Sequence, residues 1–500
     1  MLFTSTVFLL GFLPLVVVGY WLINYFNLKT YSLWWLLLAS IIFYGWIDWR
    51  YVPLLLISVV VNFYIGGALQ KGPQKWLLIL GIVFNLAWLW YFKYNDFFLS
   101  TLNDAVGTNW SLPSFLFPLG VSFYTFQQIT FLMDSWHQKI KESRFWHYSL
   151  YVLFFPQVIA GPIVHHGKMM KQFDDKKRHK FLRSTFGIGL FLFALGLMKK
   201  VVLADPIGDV VDVGYQNPEQ LDLYTSWMVT AMYSLQLYFD FSGYTEMAVG
   251  MGLMLNLKLP FNFKSPYTAE SFSEFWRRWH ITLSTFLRDF VYIPLGGSRV
   301  SYFRGLSNVM IVFLLSGIWH GVGLTFIFWG AIHGAMVCFE RIFKTPLSYT
   351  PGVFKWLLTL LVLNISWVYF RAPDFQTAHL ILAKMFNLAL QTAVGDFFSK
   401  GPQNNDNYFW LWEDSRIFDF SEKLSSLVVN TSVLIWIPIL IVLGWISWLA
   451  FIDTPEVTKK YKCTTCNTLS VIGLFFLSFL VLKYLPETGP EATRFLYARF

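Results

Sequence analysis

The chain has 500 residues and a formal net charge of +9; 56% of its residues are hydrophobic, 20% aromatic and only 13% charged. A soluble globular protein carries about 25% charged residues, so these figures exclude a cytosolic α/β enzyme. In a membrane protein the positive charge reports cytoplasmic loops rather than nucleic-acid binding.

The first apolar run, 5–26, has no basic n-region and no small-residue cleavage site, and further spans follow it. It reads as a retained span, not a cleavable signal. Between Asn27 and Lys71 the only charged residues are Lys29, Asp48 and Arg50. There the runs "YSLWWLLLASIIFYGWI" (31–47) and "YVPLLLISVVVNFYIGGAL" (51–69) each approach the roughly 20 residues needed to cross the hydrocarbon core. Further spans are expected at 76–92, 112–133, 181–204, 225–255, 306–339, 355–370, 429–452 and 468–485, about ten to twelve in all. The segment "KMMKQFDDKKRHKFLR" (168–183) holds seven Lys or Arg residues and belongs in the cytoplasm. The polar, aromatic segment 399–416 reads as an interfacial loop. Cys463 and Cys466 form half a zinc motif without a second pair; beside Lys459, Lys460 and Lys462 they read as a reduced cytoplasmic loop. The expected fold is all-α: one polytopic integral membrane domain over 1–500, with its polar motifs concentrated in 110–345.

Within that region four stretches break the plain-span pattern. "FFPQVIAGPIV" (154–164) places two prolines and a glycine in an apolar run. Non-helical backbone at membrane depth must be buried in protein or line a cavity, so a broken or re-entrant helix is expected. "QLYFDFSGYTEMAVGMG" (236–252) carries Asp240 and Glu246, with Gln236 one turn before Asp240. Asp240 is a candidate to orient a histidine or arginine, or to form a structural ion pair. In "SFSEFWRRWHITLST" (271–285), Ser271 and Glu274 have capping-box spacing. The spacing predicts a helix over about 272–290 with Trp276, His280 and Ser284 on one face and Arg277, Arg278 and Arg288 as a basic set. Arginines that snorkel to headgroups beside interfacial tryptophans explain the same residues without chemistry.

The run 306–339 contains no Asp, Glu, Lys or Arg, yet it holds His320 and His333. An ionisable residue inside a span is a functional hypothesis by default; a neutral imidazole there accepts a proton from a substrate or bonds a neighbouring helix. In one straight helix the two histidines stand roughly 20 Å apart and about 220° around the axis. They can share a reacting atom only if the helix breaks near Gly321 or Gly323. His280, on another helix, is free to approach His320.

Together "FPQVIAGPI" (155–163), "QLYFDFSGYTEMAVGMG", "FWRRWHITLSTFLRDFVYIPLGG" (275–297), "GIWHG" (317–321) and "FRAPDF" (370–375) resemble the membrane-bound O-acyltransferase family, in its bacterial branch that O-acetylates alginate and peptidoglycan. The likeness runs over essentially the whole chain, including the closing "RFLYARF". It implies many helices around a central tunnel in the cell inner membrane, with His320 as the central catalytic residue and His280 as the second polar residue of the site. Asp240, Trp319 and His333 are supporting candidates. The resemblance implies acetyl-CoA as a cytoplasmic donor substrate, its phosphates met by basic groups such as Arg277, Arg278, Arg288 or Arg299. No bound cofactor and no metal are expected. The implied partners are an extracytoplasmic acetyltransferase, a polysaccharide acceptor and the surrounding lipids. The alternatives are D-alanyl transfer to teichoic acid, as in a related branch, and a non-enzymatic transporter or channel, since intramembrane His, Asp and Glu also mark transport pathways.

Overall fold

A computed structural model of the protein describes residues 1–108, 110, 118–140, 144–387 and 455. The spans expected at 429–452 and 468–485, segment 399–416, the closing "RFLYARF", Cys463 and Cys466 lie outside the described residues. Within them the chain is helical, with no strand. In order the α-helices are α1 (Leu13–Tyr25), α2 (Lys29–Gly45), α3 (Tyr51–Lys71), α4 (Lys75–Lys93), α5 (Asn95–Val106), α6 (Val121–Trp136), α7 (Phe145–Leu153), α8 (His166–Asp174) and α9 (Arg183–Met198). They continue as α10 (Asp205–Gln216), α11 (Leu223–Met254), α12 (Phe272–Arg278), α13 (Ile281–Leu287), α14 (Tyr302–His320), α15 (Leu324–Ile342), α16 (Lys344–Tyr349), α17 (Gly352–Arg371) and α18 (Phe375–Phe386). Six helical stretches among the described residues are long and apolar enough to cross a membrane: Val7–Tyr25, α3, α4, Arg183–Gln216, α14 and α17. The run 306–339, expected as one span, is two helices, α14 and α15, broken at Gly321–Gly323.

The longest helix, α11, starts at a complete capping box. The Asp222 carboxylate accepts from the Thr225 amide at 2.8 Å, and the Thr225 hydroxyl accepts from the Asp222 amide at 2.9 Å, satisfying two orphan donors at once. Almost every residue from Gln236 to Met254 is buried, so the second half of α11 lies in the core of the described residues. It packs on α9 through facing glycines spaced seven apart, Gly189 and Gly196 against Gly243 and Gly250. A methyl group on Gly189 would stand 2.6 Å from the Gly250 carbonyl oxygen, and one on Gly243 2.7 Å from that of Gly196. Lipid tails supply no hydrophobic drive between helices, so close backbone approach at small residues has to supply the packing. We expect Gly189→Leu to cost roughly 1–3 kcal/mol by overpacking. A lowered melting temperature of the purified protein is the readout; an unchanged one contradicts this contact.

Contacts between helix ends sort them into two layers. On one, Asn24 at the end of α1 meets His179 at 3.1 Å, Gln172 accepts from the Lys258 amide at 2.7 Å, and Arg341 donates to the Tyr292 hydroxyl at 3.1 Å. This layer holds the basic 168–183 segment. On the other, the Tyr44 hydroxyl donates to the Leu119 carbonyl at 2.9 Å, and Arg371 pairs with Asp212 at 2.6 Å. His320, the last residue of α14, sits toward this second layer.

The 154–164 segment is non-helical and buried throughout. Its backbone is satisfied by side chains from elsewhere: the Phe155 amide donates to Ser40 Oγ (3.1 Å), the Ile163 amide to Thr282 Oγ1 (3.1 Å), and Tyr151 Oη to the Val164 carbonyl (2.6 Å). Irregular backbone at this depth persists only under such cover.

Candidate active site

The turn Gly321–Gly323 folds α15 back along α14. Glycines permit the close pass: a methyl on Gly330 would collide with the Phe313 carbonyl, and one on Gly317 with that of Phe326. His320 is 1% exposed. Its Nδ1 lies 2.7 Å from the Ser316 carbonyl oxygen, one turn back. A carbonyl only accepts, so Nδ1 carries the ring proton and Nε2 the basic lone pair. The imidazole packs against the rings of Trp329 (centroids 4.8 Å apart), Phe370 (5.5 Å) and its neighbour Trp319 (4.7 Å).

The continuous helix expected over 272–290 does not form. Its start is half as expected: Ser271 Oγ accepts from the Glu274 amide at 3.1 Å, but the Glu274 carboxylate accepts from the Glu270 amide at 3.0 Å rather than from that of Ser271, so the capping box is incomplete. The helix stops at Arg278, and His280 takes the left-handed conformation (φ 42°, ψ 53°) before α13 begins. The cause is distant in sequence. The Lys264 amide donates to the Arg278 carbonyl, and the Ile281 amide to the Asn262 carbonyl, both at 2.9 Å. Segment 262–264 thus takes the backbone partners the helix needs to continue. The Asn262 side chain holds the other side of the break, accepting from Thr282 Oγ1 at 2.6 Å. Trp276, His280 and Ser284 therefore do not share a helical face.

A left-handed non-glycine residue costs roughly 1–3 kcal/mol and persists where surrounding structure imposes it. Here it turns His280 inward. The residue is 0% exposed, with its ring 4.7 Å from Phe241, 6.5 Å from Phe123 and 6.2 Å from Trp319. His280, at the break between α12 and α13, and His320, at the end of α14, thus pack against one indole, that of Trp319.

His333 does not stand alone on a distant face of a straight helix. The break at Gly321–Gly323 brings it back to the same tryptophan layer, its ring 4.7 Å from Trp329. Both its nitrogens are engaged: Trp276 Nε1 donates to Nδ1 at 3.1 Å, and Nε2 meets Ser366 Oγ at 3.0 Å. It ties α12 to α15 and α17. Asp240 pairs with Lys200 at 2.6 Å, and its neighbour Glu246 with Lys199 at 2.6 Å. Both lysines lie in a π-helical turn (Lys199–Ala204) after α9, and Lys200 also meets Asp205 at 2.6 Å. Of the basic set, Arg278 is tied to Glu274 (2.6 Å) and Thr268 (2.9 Å), and Arg288 to Asp289 (2.7 Å). Arg277 and Arg299 are exposed.

Glu340 is a residue the sequence reading missed, because it follows directly on the apolar run. Its carboxylate accepts from the amides of Phe272 and Ser273 (3.0 Å for the latter) and from Ser273 Oγ (2.7 Å). An anion at a helix N-terminus is favourable, and here it pins the start of α12 to α15. The contacts Ser273–Glu340, Trp276–His333 and His280–Trp319 then trace α12 from the basic layer inward.

The profile of MBOAT, the membrane-bound O-acyltransferase family, matches residues 138–375. The chain is 41% identical over 422 residues to the peptidoglycan O-acetyltransferase of Helicobacter pylori, covering 78% of this chain and 80% of that protein. It is 39% identical over 408 residues to the protein named probable alginate O-acetylase AlgI of Pseudomonas aeruginosa, covering 77% and 75%. A teichoic acid D-alanyltransferase of Bacillus subtilis is 27% identical over 248 residues, covering 48% and 62%. Identity of this level across three quarters of both chains, with the family profile over 138–375, makes this chain an O-acyltransferase that belongs to the membrane-bound O-acyltransferase family.

Proposed function

We propose that the chain takes acetyl from cytoplasmic acetyl-CoA and passes it across the inner membrane for O-acetylation of an extracytoplasmic polysaccharide, through a partner acetyltransferase on the far side. Ten to twelve crossings around a central tunnel complete this reading. The observation that carries it is the packing of His280 and His320 against the same Trp319 indole in the buried interior. The acetyl-transferring relatives match at 41% and 39% identity against 27% for the D-alanyl relative, which favours acetyl as the cargo.

In this mechanism Nε2 of His320 accepts the proton of the acceptor hydroxyl as its oxygen attacks the thioester carbonyl carbon. His280 binds the carbonyl oxygen while negative charge builds on it. The C–S bond then breaks, and the thiolate leaves with the proton returned by the His320 imidazolium. Buried aromatic walls keep water away, so hydrolysis does not compete. Asp240, paired with Lys200, supports α11 behind the site; His333 supports α12.

Arg277 and Arg278 lie in the part of α12 that leads from the basic layer toward His280, which suits them to meet donor phosphates at the cytoplasmic mouth. Arg299 and Arg288 are further candidates. Replacing Arg277 and Arg278 together by Gln should raise the KM for acetyl-CoA by about tenfold or more, the scale of one or two lost charge-assisted bonds. An unchanged KM returns them to a headgroup-anchoring role. The reading as a whole is tested by ester analysis of the cell's extracytoplasmic polymers after deletion of the gene. Loss of acetyl esters, restored by the wild-type gene, is expected; loss of D-alanyl esters instead would replace acetyl as the cargo.

A further inference from the structure

We propose that Lys93, with Tyr94 beside it, is the positioning residue that fixes His320. The proposal rests on the reading of His320 as the general base. Lys93 ends α4, where a lysine at the close of an apolar span ordinarily snorkels to the membrane surface. Here it turns inward and is 9% exposed. Its Nζ donates to the carbonyl of Trp319 and, at 3.4 Å, to that of His320. The Tyr94 hydroxyl donates to the Ile318 carbonyl at 2.7 Å and reaches the Trp319 carbonyl at 3.4 Å. These are three of the last four carbonyls of α14, the groups that every helix leaves without internal partners.

The chain beyond offers α14 no cap of its own: Gly321 departs in extended conformation (φ −160°, ψ 165°). His320 is therefore the last residue of a helix whose final turn is closed by two side chains from α4. Without them that turn is free to fray, and the base moves with it.

Charge sharpens the point. Among the described residues the other two buried lysines, Lys199 and Lys200, pair with the carboxylates of Glu246, Asp240 and Asp205. Among the described residues no carboxylate lies within ion-pair distance of Lys93. What faces its ammonium is the negative end of α14 and the Trp319 ring, whose centroid is 5.7 Å away. Burial of a charge is costly unless something compensates it, so the ammonium and the end of α14 hold each other. Glu340 does the converse at the N-terminus of α12. The element leading to each histidine is thus capped by a charge of the matching sign from another helix.

The test uses membrane vesicles from the source strain, which retain the native acceptor, with acetyl-CoA as donor. Lys93→Met keeps the length of the side chain but removes its charge and donors. It should lower kcat by about 10²-fold, the scale of an ångström-sized misplacement of a reacting group, with the KM for acetyl-CoA unchanged. Lys93→Arg should recover part of the loss, and Tyr94→Phe should lose only several-fold. A wild-type kcat in Lys93→Met overturns the proposal. If Lys93→Met does not accumulate in the membrane, Tyr94→Phe decides: a several-fold fall in kcat at constant KM supports the latch and a normal kcat overturns it. Activity in His320→Ala alone would remove the reading beneath it instead.

Discussion

His320→Ala should abolish polymer acetylation while the protein still inserts and purifies; this is the largest loss expected of any single change. A thioester carbonyl and a neutral hydroxyl react slowly unless something accepts the hydroxyl proton, and general-base help is typically worth about 10²–10⁴ in rate. The Ser316 carbonyl fixes the tautomer that leaves the basic lone pair on Nε2. Truncation also removes a ring packed among Trp319, Trp329 and Phe370, so some stability is lost with it. His320→Gln separates the two effects. It keeps most of the bulk and a polar end but no basic nitrogen, and should be as inactive as alanine while melting closer to wild type. Acetyl content of the polymer, normalised to membrane protein level, is the measurement. Near-normal acetylation in either variant sinks the assignment of His320 as base.

His280→Ala should come second, with a fall in kcat of about 10²–10³-fold, the usual cost of removing one donor to a developing oxyanion. Alanine inherits the left-handed backbone that segment 262–264 imposes. His280→Gly does not pay for that conformation, since glycine adopts it freely. The glycine variant should therefore be at least as stable as the alanine one and equally inactive. If activity follows stability across the two, recovering in glycine, His280 serves the bend in the chain and not the chemistry.

The class of the fold was legible because apolar runs of 17–22 residues have few explanations. So was the gathering of polar groups in the middle of the chain. The re-entrant segment at 154–164 could be anticipated from Pro156, Gly161 and Pro162, which cannot sit exposed in lipid. The break at His280 could not. A local reading of "EFWRRWHITLST" sees a capped start and good helix formers, whereas the partners that end the helix, Asn262 and Lys264, act through backbone bonds that no side-chain pattern advertises. Asp240 was half legible: its ion pair was foreseeable, but not that Lys200 would be the partner, because the lysines at 199 and 200 sit at the close of a span where a snorkelling role comes first to mind. Lys93 and Glu340 were hidden for the same reason. Each stands at the edge of an apolar run, and only the packing of α4 on α14, or of α15 on α12, turns it from a surface anchor into a helix cap.

The most direct measurement is transfer itself. Membranes holding the wild-type chain, or His320→Ala at equal protein level, are given acetyl-CoA radiolabelled in its acetyl group, and both the extracytoplasmic polysaccharide and released CoA are assayed. The account predicts label in the polysaccharide with an equal amount of free CoA from wild type, and neither from His320→Ala. Equal labelling from both membranes would contradict it.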